Sequence, residues 1–191
     1  MNHYINKIKT FYEIFRANQT LDSKINFLKC IYYNIKPPKW RSREVNFYPI
    51  STTLYVNTIC NYRCSFCFLI NDDHKGNKKF NLDLEKFYDL LEHKHIKYSA
   101  RITIGGGEPY LNKNIYEFIK ELKKRKKIIS VYTNGSLIER QYDQMINNQT
   151  HYLNISHYDD KFDDLSHMFK AINEAKNKKF ISRLSKLVTT D

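Results

Sequence analysis

The stretch ARITIGGGEPYLNKNIYEFIKELKKRKKIISVYTNG, residues 100–135, reads as strand, helix and strand in that order. ARITI (100–104) is a short β-rich run that stops at three glycines. Ile115, Phe118, Ile119 and Leu122 then recur at the i, i+3, i+4, i+7 spacing of one helical face, which predicts a helix over 113–126. IISVY (128–132) is β-rich again and ends in TNG. Two strands joined through a crossover helix run parallel, since a tight hairpin turn joins only antiparallel ones.

Outward from this unit the alternation continues. TLYVNTI (53–59) is a strand ending at Cys60, and Leu84, Phe87 and Leu91 mark a helix around 82–95. A shorter helix covers about 138–147, YLNIS (152–156) is a strand, and Leu165, Met168, Phe169 and Ile172 place a helix over 164–176. FISRLSKLV (180–188) is the last strand. Strict alternation predicts an α/β fold with parallel strands and right-handed crossovers. Such a sheet is either open and doubly wound or curled into part of a barrel. Both forms bind ligands at the C-terminal ends of their strands. Three unusual loops fall at that rim: a cysteine cluster after the first strand, GGGEP after the second and TNG after the third.

The chain has 191 residues, about the length of one domain, and 41% of them are apolar, enough for a core. Ile8, Phe11, Tyr12 and Phe15 share a helical face over 3–17, a second helical stretch runs about 21–34, and KPPKW (36–40) breaks it. The expected division is therefore a helical extension over 1–45 and a core over 46–191. The N-terminal stretch lacks an apolar h-region and a small-residue cleavage site, and no run approaches the ~20 apolar residues of a membrane span. A cytoplasmic, reducing setting is expected, where clustered cysteines point to metal or redox chemistry before disulfides.

Net charge is +12 and the pI about 9.4, which favours anionic partners. Yet there are 24 Lys against 8 Arg, which looks compositional, since recognition of phosphate at defined geometry favours Arg. The longest basic run, KELKKRKK (120–127), lies at a predicted helix end, where cations suit the helix dipole.

TICNYRCSFCF (58–68) holds three of the 4 cysteines: Cys60, Cys64 and Cys67. Thiolates suit zinc, copper(I) or iron–sulfur clusters. A structural zinc site wants four closed ligands, often two CxxC pairs. CxxxCxxC without a second pair leaves one coordination position with no local protein ligand. His74 is a candidate to complete a zinc site, and Cys30, among Phe27, Leu28 and Ile31 on a predicted helix, reads as a small buried hydrophobe. A cluster held by three thiolates instead keeps one iron open to a substrate.

At these residues the sequence resembles the radical S-adenosylmethionine (radical SAM) superfamily. CxxxCxxC after a first strand, with aromatic Phe66 before the last cysteine, is similar to the family's cluster motif. GGGEPYL (105–111) resembles its GGE-type motif, TNGSLI (133–138) a common third-strand ending, and LNIS and RLSKLV its fourth and fifth strands. The resemblance covers about 52–190 and implies a partial, open TIM-type barrel of about five βα units with parallel strands. It implies that Cys60, Cys64 and Cys67 hold a 4Fe–4S cluster whose open iron takes the amino and carboxylate groups of SAM. Reductive cleavage, with the electron from a flavodoxin- or ferredoxin-type donor, would give methionine and a 5′-deoxyadenosyl radical that abstracts hydrogen from an unidentified substrate.

By the same resemblance, Gly106 and Gly107 let a backbone edge approach the methionine part of SAM, as does Gly105, and Glu108 is an acceptor for its ammonium group. Pro109 fixes the turn. Phe66 flanks the adenine and Ser156 contacts the ribose. Arg183 and Ser185 share one face of the last strand, and either would meet the SAM carboxylate. Asn134 reads as a turn shaper. His157 and Tyr158, in SHYDD, read as substrate contacts or as a solvated polar cluster.

The family core usually has six βα units, and five strands are readable. The chain is thus expected to be a truncated or split product, a natural minimal version, or one part of an assembly whose partner chain completes the barrel. Candidate substrates are a peptide, a nucleotide or RNA, or a small molecule. The competing reading is a non-catalytic zinc or iron–sulfur module that contacts nucleic acid through its Lys-rich surface.

Overall fold

The computed structural model describes Tyr12, Phe15, Cys67, Leu69 and residues 21–35, 48–64, 79–148, 150–157 and 181–186. The predicted helix over 164–176, the positions Phe66, His74 and Tyr158, and most of 3–17 lie outside the described residues.

Helix α1 (Leu21–Ile35) precedes strand β1 (Ser51–Tyr55). Then come α2 (Leu84–Glu92), the short α3 (Lys94–Lys97), β2 (Arg101–Gly105), a 3-10 turn (Pro109–Leu111), α4 (Ile115–Lys124), β3 (Ile128–Thr133), α5 (Ile138–Asn147), β4 (Tyr152–His157) and β5 (Ile181–Lys186). The five strands are all parallel and lie in chain order, β1-β2-β3-β4-β5. That order decides between the two expected architectures. A doubly wound sheet must reverse direction to place helices on both faces. Four crossovers in one direction, right-handed by the general rule, put the described helices α2, α4 and α5 on one face, as in a barrel wall. Among the described residues the sheet is open, since β1 and β5 do not pair.

Burial alternates with the pleat. Leu54, Ile102, Ile104, Ile129, Val131, Leu153 and Ile155 face the helices, and all are at most 7% exposed. Phe87 of α2 and Phe118 of α4 stack between them at 4.3 Å, and each fully buried ring contributes about 2–3 kcal/mol. The other face carries Ser51, Thr53, Tyr55, Arg101, Thr103, Ser130, Tyr132, Tyr152, Asn154 and Ser156. Here Asn154 Nδ2 donates to Ser130 Oγ at 2.8 Å and the Arg101 guanidinium lies 5.2 Å over the Tyr152 ring. This polar, aromatic wall is the face a barrel turns toward its lumen.

Local chemistry sets the helix ends. The Asp83 side chain caps α2 by accepting from the Lys86 N–H at 2.8 Å, worth about 1 kcal/mol. Helix α4 ends in a Schellman turn: the Lys126 and Lys127 N–H groups donate to the Lys123 and Leu122 carbonyls. The left-handed position there is Lys126, φ 55°, where glycine is usual.

Two boundaries differ from expectation. The helix expected over 82–95 breaks at His93, which is extended (ψ 131°). The first strand ends at Tyr55, earlier than the 53–59 expected. Beyond Tyr55 the chain leaves the ladder because its backbone serves two other partners. Asn57 bridges Asn81 antiparallel, while the Asn57 and Ile59 carbonyls accept the Gly107 and Glu108 N–H groups at 3.0 and 2.8 Å.

Candidate radical SAM site

The C-terminal end of β1 delivers the cysteine loop to the rim. Cys60, Cys64 and Cys67 form no disulfide among the described residues, and each is partly exposed. The loop turns between the last two, where the Cys67 N–H donates to the Cys64 carbonyl at 3.1 Å. Cys60 Sγ accepts from the Tyr62 N–H at 3.4 Å and from Asn134 Nδ2 at 3.7 Å. Arg63 folds back onto the Cys60 and Tyr62 carbonyls. Among the described residues, no three His, Cys, Asp or Glu side chains stand close enough to enclose a metal ion as the loop lies. The fit to an iron–sulfur cluster is one of donor chemistry and place. Three soft ligands share one partly exposed loop at the strand ends, and Cys60 receives two N–H donors suited to a thiolate.

The GGGEP turn packs directly under that loop. A Cβ on Gly106 would strike the Asn57 carbonyl, and one on Gly107 the Ile59 carbonyl. Gly106 also has φ 131°, which side-chain-bearing residues rarely adopt. The glycines thus let this turn press against the chain's own backbone. The missing Cβ of Gly105 faces the Tyr55 ring at 3.5 Å.

Glu108 is fully buried and points toward β3. Oε1 accepts from the Tyr110 N–H at 3.1 Å and the Thr133 hydroxyl at 2.9 Å, and Oε2 from the Asn134 N–H at 2.8 Å. No cation is among these partners. Burial pushes its carboxyl up to about 6, against the opposing pull of its three donors. Asn57 Nδ2 clamps the Glu108 carbonyl at 2.9 Å, and the buried Asn112 ties Val56 and Leu82 together at 3.0 Å each.

The TNG turn closes the set. Gly135 has φ 79°, as a left-handed turn position requires. Asn134 Oδ1 accepts the Ser136 N–H at 3.0 Å, so it does shape the turn. Its amide also reaches Asn61 Oδ1 at 3.0 Å and the Cys60 sulfur. The cysteine loop, GGGEP and TNG are therefore one hydrogen-bonded unit. Farther along the rim, Ser156 pairs in register with Ser185, and Asn154 with Arg183. Ser156 is half-buried. The side chains of His157, Arg183 and Ser185 lie outside the described residues.

The family model of the radical SAM superfamily matches residues 54–189. The chain belongs to that superfamily. Radical SAM proteins use a 4Fe–4S cluster and S-adenosylmethionine. A similar protein is a GTP 3',8-cyclase of Alkaliphilus oremlandii, 30% identical over 144 residues that are 70% of this chain and 44% of that one. An S-adenosylmethionine-dependent nucleotide dehydratase of Psychrobacter lutiphocae is 30% identical over 49% of this chain and 35% of its own. The chain spans less than half the length of the curated relatives it matches. Among solved structures, BtrN in complex with AdoMet and 2-DOIA has the same fold over 74% of this chain and 58% of that one, with TM-score 0.54 and 19% identity.

The family match supports the radical SAM reading and not a nucleic-acid-binding zinc module, and several cations of the basic run have partners within the chain. Lys120 pairs with Glu117 at 2.7 Å, Lys124 with Glu121 at 3.4 Å, and Arg125 with Glu92 at 2.8 Å. Lys127 Nζ donates to the Lys97 and Ser99 carbonyls at 2.6 Å each. These four cations are engaged within the chain. Cys30 is buried on α1, donates to the Tyr48 carbonyl at 3.2 Å, and has its thiol pushed up by burial, as a packing residue would.

Sequence reading missed Asn57, Asn61 and Asn112, and gave Asn134 only half its role. Polar residues inside and just after an otherwise apolar strand, as in VNTIC, were the available signal for Asn57.

Proposed function

We propose that this chain provides the cluster- and SAM-binding part of a radical SAM enzyme. One observation carries the reading: the three-cysteine loop after β1 is tied, at Cys60 and Asn61 to Asn134 and at Ile59 to Glu108, to the TNG turn after β3 and the glycine turn after β2. Cys60, Cys64 and Cys67 would hold the 4Fe–4S cluster. With SAM bound, the cluster would supply reductive cleavage to methionine and a 5′-deoxyadenosyl radical that takes hydrogen from a substrate. The Gly105–Gly107 backbone presents the edge for the methionine part, and Glu108 holds that edge by bonding to β3. Phe66 would flank the adenine, Ser156 the ribose, and Ser185 or Arg183 the carboxylate.

Two of the similar proteins are named for GTP and nucleotide chemistry, and this chain carries +12. An anionic nucleotide is therefore the first substrate class to test. A flavodoxin- or ferredoxin-type protein would donate the electron. The open β5 edge leaves room for further strands or for a partner chain. The proposed division is the one expected from the sequence, a helical extension over 1–45 and a core over 46–191, and a reducing cytoplasm suits clustered thiols. Among the described residues no helix is long and apolar enough to cross a membrane.

Iron binding tests the ligand assignment. Anaerobic reconstitution with iron and sulfide is expected to give about four irons per chain in the wild type and in Cys30→Ala. Cys64→Ala is expected to lose the cluster. Loss in Cys30→Ala would overturn the assignment, and so would zinc at one per chain with no labile sulfide in the wild type.

A further inference from the structure

Asn134 lies at the junction of the three rim loops and is 8% exposed. Its two amide ends face different partners. Oδ1 accepts from the Ser136 backbone N–H at 3.0 Å and the Ser136 hydroxyl at 2.6 Å. A backbone N–H can only donate, so this end must be the oxygen. The NH2 end is thereby committed to the other side, where it meets Asn61 Oδ1 at 3.0 Å and Cys60 Sγ at 3.7 Å. The residue's backbone is pinned as well, its N–H bonded to the buried Glu108 carboxylate at 2.8 Å. Both main chain and side chain are therefore fixed, and the donor sits on a buried residue beside a partly exposed sulfur.

We propose that Asn134 is a positioning and tuning residue for the cluster: its side-chain N–H holds the Cys60 thiolate and stabilises the more negative, reduced state. This rests on the function proposed above. The physical reason is charge. One-electron reduction adds a negative charge that spreads onto the sulfurs, and a fixed N–H dipole aimed at sulfur favours that state. Hydrogen bonds to the sulfurs are an established lever on cluster potential. The Tyr62 N–H acts on the same atom, but it belongs to the cysteine loop itself. Asn134 comes from the turn after β3, 74 residues away, and so couples the cluster's potential to the integrity of the TNG turn.

The test is a redox titration of the reconstituted full chain, followed by electron paramagnetic resonance. Asn134→Ala removes the donor. Ser136→Ala removes the bonds from the Ser136 hydroxyl and leaves the donor. The expected result is a more negative midpoint in Asn134→Ala at unchanged iron content, with Ser136→Ala at the wild-type value. Equal midpoints in Asn134→Ala and wild type would overturn the role of Asn134 while leaving the proposed function standing. Equal shifts in both variants would overturn it too, because general loosening would then suffice. A wild-type chain that holds no cluster would overturn the proposed function and this inference together. Should circular dichroism show Asn134→Ala unfolded, the near-isosteric Asn134→Leu removes the N–H without adding a charge beside the sulfur, and the same direction of shift is required.

Discussion

The two ends of the parallel sheet hold their charges in opposite ways. At the N-terminal end, Glu92 is exposed and meets Arg125 at 2.8 Å and Lys97 at 3.1 Å, which holds its carboxyl below the usual range. Lys127 is tucked against two carbonyls there, and burial lowers its ammonium to about 8. At the C-terminal end, Glu108 is buried on neutral donors alone and its carboxyl rises to about 6. Surface pairs like those of Glu92 are screened and add little. A buried carboxylate with three dedicated donors fixes the geometry of what surrounds it. The lower end of this sheet is closed off by exchangeable surface contacts, while the upper end is over-determined where the cysteines, glycines and asparagines meet.

Removing Glu108 should break that contrast most. Glu108→Ala leaves the Asn134 N–H, Tyr110 N–H and Thr133 hydroxyl buried without an acceptor, costing on the order of 3 kcal/mol in urea unfolding. Glu92→Ala in the same assay is expected to stay within error. Equal effects from the two substitutions would erase the distinction between the ends.

The pH dependence sharpens it. Burial pushes the Glu108 carboxyl in the folded chain up to about 6 from the ordinary 4.5, so the folded chain binds the proton more tightly. Its contribution is fully present below the unfolded value and is lost as pH rises through about 6, an effect of about 2 kcal/mol. The carbon-13 shift of its carboxyl should titrate near 6. A midpoint at 4.5 would mean that water reaches this group.

The smallest effect lies at the lower end. Lys126 occupies the left-handed position of the Schellman turn with a side chain that disfavours it. Lys126→Gly is expected to raise stability by about 1 kcal/mol in thermal unfolding. No gain would show that the Lys126 side chain makes contacts that offset its backbone cost.

Much of this architecture was legible because period-two and period-3.6 patterns do not overlap here. The Ile115–Phe118–Ile119–Leu122 face fixed α4 to within two residues, and the helix over 138–147 has the expected ends. Strand β1 was read too long because VNTI is β-rich by composition, whereas its backbone bonds are taken by a turn some fifty residues on. Such competition is invisible to local pattern. The cysteine motif announced itself by spacing. Asn134 did not, since a turn asparagine and a sulfur donor look alike until β1 and β3 are brought to one rim. Glu108 was read as an acceptor for a ligand's ammonium group. The structure shows its oxygens already bonded to β3 and the turn, which makes it first a strut for the glycine edge.

The central claim is that the three-cysteine loop holds a cluster with one iron open to SAM. Electron paramagnetic resonance of the anaerobically reconstituted, reduced chain, recorded with and without SAM, tests it most directly. The account predicts a 4Fe–4S signal whose shape changes when SAM is added. A cluster signal indifferent to SAM, or a chain that keeps zinc and forms no cluster, would contradict it.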